Sequence, residues 1–321
     1  MNMNKRILWI DWMKTLGMLC IIYGHFSFFP EYVYAFHVPL FFVISGFLSK
    51  NEESCQMFIR KIAWNLIVPM FLISLLNYIF LESLGQNRES VAKFVMGLIL
   101  GLHDSVKEMW FVYTLVLLKI ILQFLKGNVF IMYVLIPVAL FVSYLLNTYD
   151  IVVYGKHILK FHSALLTVFL SYPFFILGFA LKKYKNYLID ISLKKSVVLL
   201  ILAFPIVYFC AKINGCAYLV NHEYGNNLFL FICGAIAGIV LVFAVAKLFS
   251  NIKIQGIMDI SKGTIIILGF HVQFVVLLCK LYRLASFEEI LFVSLVILLI
   301  FIPIIRITER FCPILIGKYR I

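Results

Sequence analysis

Charge is scarce in this chain. Only 13% of its 321 residues are Asp, Glu, Lys or Arg, about half the share of an ordinary soluble domain. A globule so apolar would present a greasy surface to water, which excludes soluble folds. CxxC pairs are lacking too: the seven cysteines are scattered, mostly inside apolar runs, which excludes zinc and redox motifs and predicts no resident metal. Cys210 and Cys216 flank one expected outer loop, where they either pair or remain free thiols. No Pro-, Ser- or Gln-rich linker, low-complexity tract or repeat of roughly 20–50 residues interrupts the sequence, so no second module is tethered to the first. Without an exposed basic module, the net charge of +13 does not point to nucleic acid.

Hydrocarbon is what the chain has in plenty. Hydrophobic residues make up 64% and the mean hydropathy is +1.03. At ~20 apolar residues per span, this supplies about ten crossings and leaves too little chain for a soluble domain of ordinary size. Apolar runs place the spans near 9–29, 36–49, 62–81, 109–125, 129–146, 163–181, 196–212, 226–246, 264–282 and 288–305. Phe94–Leu102 is too brief to cross and reads as a re-entrant or interfacial helix. The expectation is an all-α polytopic membrane helix bundle of about ten transmembrane helices, forming one integral-membrane domain over 1–321. The amino terminus starts basic but shows no small-residue cleavage site, so it reads as a retained first span. With both termini cytoplasmic, 18 of the 28 basic residues fall on inner segments and eight on outer ones, the bias of the positive-inside rule. The Lys182–Lys195 loop is then inside and 147–162 outside.

An ionisable residue within a span costs a few kcal/mol and tends to face a partner or a wet cavity. The first span carries Asp11, Lys14 and His25. At 100° per residue, His25 lies about 20° from Lys14 after three turns and Asp11 about 60° to the other side, so all three share one face. Lys14 and His25 stand roughly 16 Å apart along it. The bland reading is an interfacial Asp11–Lys14 ion pair and a hydrogen-bonded His25. His37 follows at the outer start of the second span, with Ser45 and Gly46 deeper, where a missing side chain permits close approach of a helix or ligand.

Asp-x-x-Lys-x10-His over 11–25, then Phe-His-x-Pro-Leu-Phe-Phe-x-x-Ser-Gly-Phe over 36–47, resembles the acyltransferase 3 family of bacterial integral-membrane O-acyltransferases, especially its short branch related to sugar O-acetylases. Phe58-Ile59-Arg60-Lys61 with Pro69, Trp110-Phe111, Pro173-Phe174-Phe175 with Gly178, and Ser261 before Gly269-Phe270-His271 are similar to later landmarks. Two positions depart from the family pattern: Lys14 stands where Arg is usual, and Ala63 where a second Arg often follows Arg60. Lys lacks the bidentate fork of Arg and acts as a point charge.

The resemblance implies acyl transfer from a cytoplasmic acyl-CoA, usually acetyl-CoA, to a hydroxyl of an extracytoplasmic glycan or lipid-linked sugar, in the cytoplasmic membrane of a bacterium. Acetyl-CoA is then a donor substrate and no cofactor is bound; membrane lipid is the other partner. His25 aligns with the family's general base, and imidazole suits the task because its ordinary pKa lies near neutrality. Lys14 would hold or orient the donor and Asp11 would neutralise or fix Lys14. For donor or acceptor binding the same comparison offers His37, Ser45, Gly46, Arg60, Lys61, Trp110 and His271, each with a plainer role as interfacial, topogenic or packing residue. If Lys14 serves the donor and His25 the acceptor, a polar path lined by His37, Ser45 and His271 is expected between them. A transporter or flippase, or a polymerase of lipid-linked polysaccharide, is the alternative, although no internal repeat and no large outer loop supports either.

Overall fold

The computed structural model describes residues 6–26, 29–50, 54–83, 90–148, 156–282 and 286–318, and every regular element among them is helical. The amino-terminal part runs through α1 (Leu8–Gly24), α2 (Glu31–Tyr34), α3 (His37–Leu48), α4 (Cys55–Ile62) and α5 (Val68–Ser83). A π-helical turn over Ala63–Ile67 joins α4 to α5. Then come α6 (Val91–Leu100), α7 (His103–Val106), α8 (Trp110–Leu125), α9 (Val129–Thr148) and α10 (Lys156–Leu181). The remainder comprises α11 (Lys185–Ile189), α12 (Leu193–Asn214), α13 (Leu228–Leu248), α14 (Gln255–Lys262), α15 (Thr264–Leu281) and α16 (Phe287–Phe311). Helix starts are written into the sequence as capping residues: the side chains of Ser54, Ser90, Ser192, Asn227 and Ser286 each accept a backbone N–H of the first turn.

Among the described residues, nine helical segments are long and apolar enough to cross a bilayer. With 17 residues, α1 is shorter; it reaches roughly 26 Å, against a hydrocarbon core of ~30 Å. The expected run 9–29 overshoots because the helix ends at Gly24, where His25 becomes its C-cap. The 12-residue α3 crosses only in tandem with α2, as the continuous segment Glu31–Leu48. The short apolar run expected near 94–102 is α6, ten residues long and closed by Gly101 in the left-handed region at φ 68°.

Large apolar side chains cover the outside. Phe130 and Phe141 of α9, and Phe204 and Phe209 of α12, are more than half exposed, as suits a surface solvated by lipid tails. Inside, two glycines set how close the helices come. A Cβ on Gly46 of α3 would lie 1.9 Å from the Phe175 carbonyl oxygen of α10, and one on Gly178 of α10 would lie 2.0 Å from the Val43 oxygen of α3. These reciprocal contacts hold α3 and α10 backbone to backbone, the use small residues serve in membrane bundles. All seven cysteines are free thiols, so Cys210 and Cys216 do not pair.

Candidate active site

α1 carries two polar clusters, one at each end. At its start, Arg6 grips Asp11 through Nε at 2.6 Å and Nη2 at 2.9 Å, and also donates from Nη2 to the Met258 carbonyl at 2.9 Å. Ser261 Oγ donates to Asp11 Oδ1 at 2.6 Å. Asp11 therefore clasps α14 to α1. A second carboxylate on α14, Asp259, accepts from Arg306 of α16 and from Gln255, both at 2.8 Å. The expected direct Asp11–Lys14 pair does not form: Asp11 is taken by Arg6, whose planar fork meets both carboxylate oxygens as an ammonium cannot, while its charge still acts on Lys14 across the turn. Lys14, half-buried, has no hydrogen bond or ion pair within 4 Å among the described residues. Its Nζ is thus left without a direct partner among the described residues.

Further basic residues gather at the same end of the bundle. Lys182 Nζ donates to the Ser49 carbonyl at 2.6 Å, tying the end of α10 to the end of α3. Lys247, at the end of α13, donates to the Ile189 carbonyl of α11 at 2.7 Å. Arg60 and Lys61 stand in the last turn of α4, Arg60 exposed and Lys61 half-buried. They precede the π turn, which packs on the segment after α16: a Cβ on Gly317 would lie 2.4 Å from the Asn65 carbonyl oxygen.

At the other end of α1 three imidazoles collect. His25 is exposed, and its ring centroid lies 4.8 Å from that of His271 on α15, at an interplanar angle of 65°. His37 opens α3 and, with His271, lies within electrostatic reach of His25. His37 is 7% exposed and His271 1%. Nδ1 of His37 donates to the Val33 carbonyl at 2.7 Å, and Nδ1 of His271 is shared between the Ile267 and Leu268 carbonyls at 2.9 Å. Because a carbonyl only accepts, Nδ1 carries the proton in both rings, so in the neutral rings Nε2 is the bare lone pair. His271 Nε2 is buried with no partner. A base whose tautomer is fixed by the backbone can take a proton from a ligand hydroxyl. Among the described residues, no three His, Cys, Asp or Glu side chains converge as a metal ion would require.

Beside the imidazoles lies a polar seam of mostly neutral side chains, which charge-based reading of the sequence passes over; it also takes in Glu108, which reads from the sequence as a rim charge or an acid–base group and has its Oε2 buried here. Asn77 of α5 donates to the Gly269 carbonyl of α15 at 2.9 Å and accepts from Gln273 Nε2 at 2.8 Å. Gln273 Oε1, Ser74 Oγ and Glu108 Oε2 are buried without partners. These atoms belong to α5, α15 and the turn before α8, which pack on one another. Gln273 Oε1 and Glu108 Oε2 are acceptors short of donors, and the Ser74 hydroxyl, which can donate or accept, is also unmatched. Neutral amides within spans were the available signal, since the rule for intramembrane polar groups covers them as well as charges. Trp110 begins α8 half-buried, edge-on to Phe111 at 6.3 Å, and its neighbour Met109 comes within 3.2 Å of a Cβ built on Gly269.

Two expected roles change. Gly46 is filled by the α10 backbone and leaves no room for a ligand; half-buried Ser45 offers its carbonyl to Ser49 Oγ at 2.7 Å. The expected polar path between Lys14 and His25 is interrupted as well. Met18 and Ile21 occupy the same face of α1 between them, 2% and 6% exposed, in an apolar cluster with Ile73, Met109 and Ile267. The two polar ends are separated by an apolar plug in this conformation, and linking them requires these side chains to move.

His222, in the loop between α12 and α13, lies 3.4 Å from Thr167 Oγ1. Burial pushes its imidazole down to about 4.

Comparison with curated proteins and with solved structures returns no match. Residues 7–307 match the acyltransferase domain that defines the acyltransferase 3 family, and the match takes in both ends of α1, the histidine cluster and the polar seam. The chain belongs to that family and is a membrane acyltransferase.

Proposed function

We propose that the protein is an O-acetyltransferase that moves an acetyl group from acetyl-CoA, bound at the basic end of the bundle, to a hydroxyl of a glycan or lipid-linked sugar at the histidine end. The positive-inside rule places the basic end in the cytoplasm, and the membrane is then the bacterial cytoplasmic membrane. The observation that carries this reading is the imidazole cluster, with its buried, unpartnered Nε2 beside a seam of unmatched polar atoms.

A sugar hydroxyl is a weak nucleophile at neutral pH and needs a positioned base. His25 takes the hydroxyl proton, the oxygen attacks the thioester carbonyl, the C–S bond breaks, and the CoA thiolate leaves and is protonated. His271 and His37, with their tautomers fixed, orient His25 and the acceptor hydroxyl. Lys14 meets an anionic part of the donor as a point charge, and Asp11, through Arg6 and Ser261, keeps the start of α1 on α14. Arg60 and Lys61 add positive charge where CoA phosphates arrive, and Trp110 offers a face to a sugar ring. Membership of the family favours acyl transfer over the transporter and polymerase readings. The test is glycan mass analysis of a deletion strain, which should show loss of an acetyl-ester increment that mild base also removes. An unchanged ester content would refute the assignment.

A further inference from the structure

An aromatic shelf adjoins the histidine end of the bundle, and its innermost ring touches the residues that carry the imidazoles. That ring is Tyr34, at the end of α2. Its centroid lies 4.9 Å from that of His37, and a Cβ on Gly24, the residue before His25, would come within 2.9 Å of its Cε2. Tyr218 follows outward, 5.1 Å from Tyr34 and 38% exposed. Beside this pair Tyr32 stacks on Tyr208 at 5.6 Å and 12°, and Lys212 packs over the Tyr208 ring at 5.7 Å. Phe29 stands 58% exposed, its centroid 6.5 Å from that of Tyr32, on left-handed backbone at φ 46°. That conformation is costly for a bulky side chain, and such outliers cluster at binding sites.

Two observations say what the shelf takes. The first is a carboxylate. Glu31 opens α2, half-buried, within electrostatic reach of Tyr23, Tyr32 and Tyr218. Its side chain makes no hydrogen bond or ion pair among the described residues. An ionised carboxylate only accepts, so an occupant beside it must donate. Glu223 sets a second negative charge near Tyr218, and the two acids oppose a phosphate here. The second observation is where Tyr218 stands. α12 ends at Asn214, so Tyr218 lies beyond the span, in a loop with Asn221, Glu223, Asn226 and Asn227, and not within a helix as an interfacial anchor would. Its carbonyl accepts from the Asn221 and Glu223 N–H groups at 2.8 and 3.2 Å, and the Asn214 side chain donates to the Tyr224 carbonyl at 2.6 Å. The loop is thereby fixed before any ligand arrives, which lowers the cost of binding.

We propose that this shelf is a subsite for the sugar next to the one that is acetylated: a neutral pyranose lies on the Tyr218 ring while two adjacent hydroxyls donate to Glu31. The C–H bonds on the face of a sugar ring meet the negative face of an aromatic ring, and a carboxylate has two oxygens for two hydroxyls. The inference rests on the acetyltransferase reading and narrows its acceptor to an oligosaccharide, because Tyr218 lies two ring contacts out from His37. The acids keep CoA, and the phosphates of a lipid carrier, out of this position.

Purified full-length protein in nanodiscs, given radiolabelled acetyl-CoA and envelope glycan extracted from the deletion strain, yields KM for each substrate. Glu31→Gln, similar in shape but uncharged, should raise the glycan KM about tenfold. Tyr218→Ala should raise it about fivefold, and Tyr218→Phe, which keeps the ring, should stay within about twofold of wild type. KM for acetyl-CoA and the unfolding temperature should not move in any of these, whereas a structural role would shift them together with the glycan KM and overturn the proposal. Transfer by the wild type with a glycan KM unchanged in both Glu31→Gln and Tyr218→Ala overturns the subsite and leaves the acetyltransferase reading standing. No transfer to glycan by the wild type overturns both. A wild-type glycan KM that climbs steeply between about 0.05 and 0.5 M salt, while that of Glu31→Gln does not, would mark a cationic group on the shelf and overturn the neutral sugar.

Discussion

If the imidazoles of His25 and His271 act together, removing both should cost little more than removing the more important one. His25 is exposed at the end of α1, so His25→Ala empties no core and should leave thermal unfolding in detergent unchanged. Loss of a general base slows transfer by about 10²–10⁴, or roughly 2.7–5.5 kcal/mol of barrier. His271 is 1% exposed, so an alanine there would leave a cavity; His271→Phe keeps a ring of similar size while deleting both Nδ1–H and the unpartnered Nε2. It should stay within about 1.5 kcal/mol of wild-type stability and lose about tenfold or more in transfer. Groups that work as a unit are strongly non-additive. The double variant should therefore match His25→Ala within about threefold, where independent residues would multiply their losses. Membrane vesicles given radiolabelled acetyl-CoA, with ester counts recovered from glycan and protein amounts matched by immunoblot, read all four corners of the cycle. Multiplied losses in the double variant, or full activity in His25→Ala, would refute the unit.

Four further outcomes are expected. Lys14→Ala should cut turnover without lowering the unfolding temperature, because no ion pair is lost, and Lys14→Arg should retain most activity; a large drop in stability would instead assign Lys14 a structural role. Gly46→Ala sets a methyl carbon 1.9 Å from the Phe175 carbonyl oxygen, so α3 and α10 must separate, at about 1–3 kcal/mol or more of stability, read by thermal unfolding; a neutral result would show that the contact is loose. The depressed imidazole of His222, about 4 in the fold against about 6.5 in an unfolded chain, contributes stability that is complete above pH ~6.5 and is lost as pH falls towards 4; His222→Gln should flatten the acid side of the unfolding-temperature profile, and an unchanged slope would refute this. Cysteine placed at Asn186 should be labelled by impermeant reagent only from the cytoplasmic side and cysteine at Thr148 only from outside; the reverse pattern would overturn the orientation.

Much of this protein was legible in its residues taken in order. Ten apolar runs, and Asp11, Lys14 and His25 at helical spacing, follow from periodicity and hydropathy, which are local properties. The same reading reached His37 and His271 as polar residues of spans. It could not see that His271, 246 positions after His25, brings its ring within 4.8 Å of it, because that depends on α15 packing against α1. Asp11 went to Arg6 rather than Lys14 for the same reason: Ser261 and the Met258 carbonyl of α14 hold the guanidinium and the carboxylate in register, and no local pattern announces α14. Gly46 read equally well as a site for a ligand or for a helix, and only the approach of Phe175 decided it. Face geometry correctly aligned Lys14 with His25, yet the apolar plug of Met18 and Ile21 between them was written on that same face; it became a barrier only once α5, α15 and the turn before α8 closed over it. The sequence thus determined which helices form and which faces carry polarity, since these are set within a few turns of chain. Tertiary packing decided which polar groups meet, which remain unpaired and where the bundle leaves room, since those depend on residues hundreds of positions apart being pressed together.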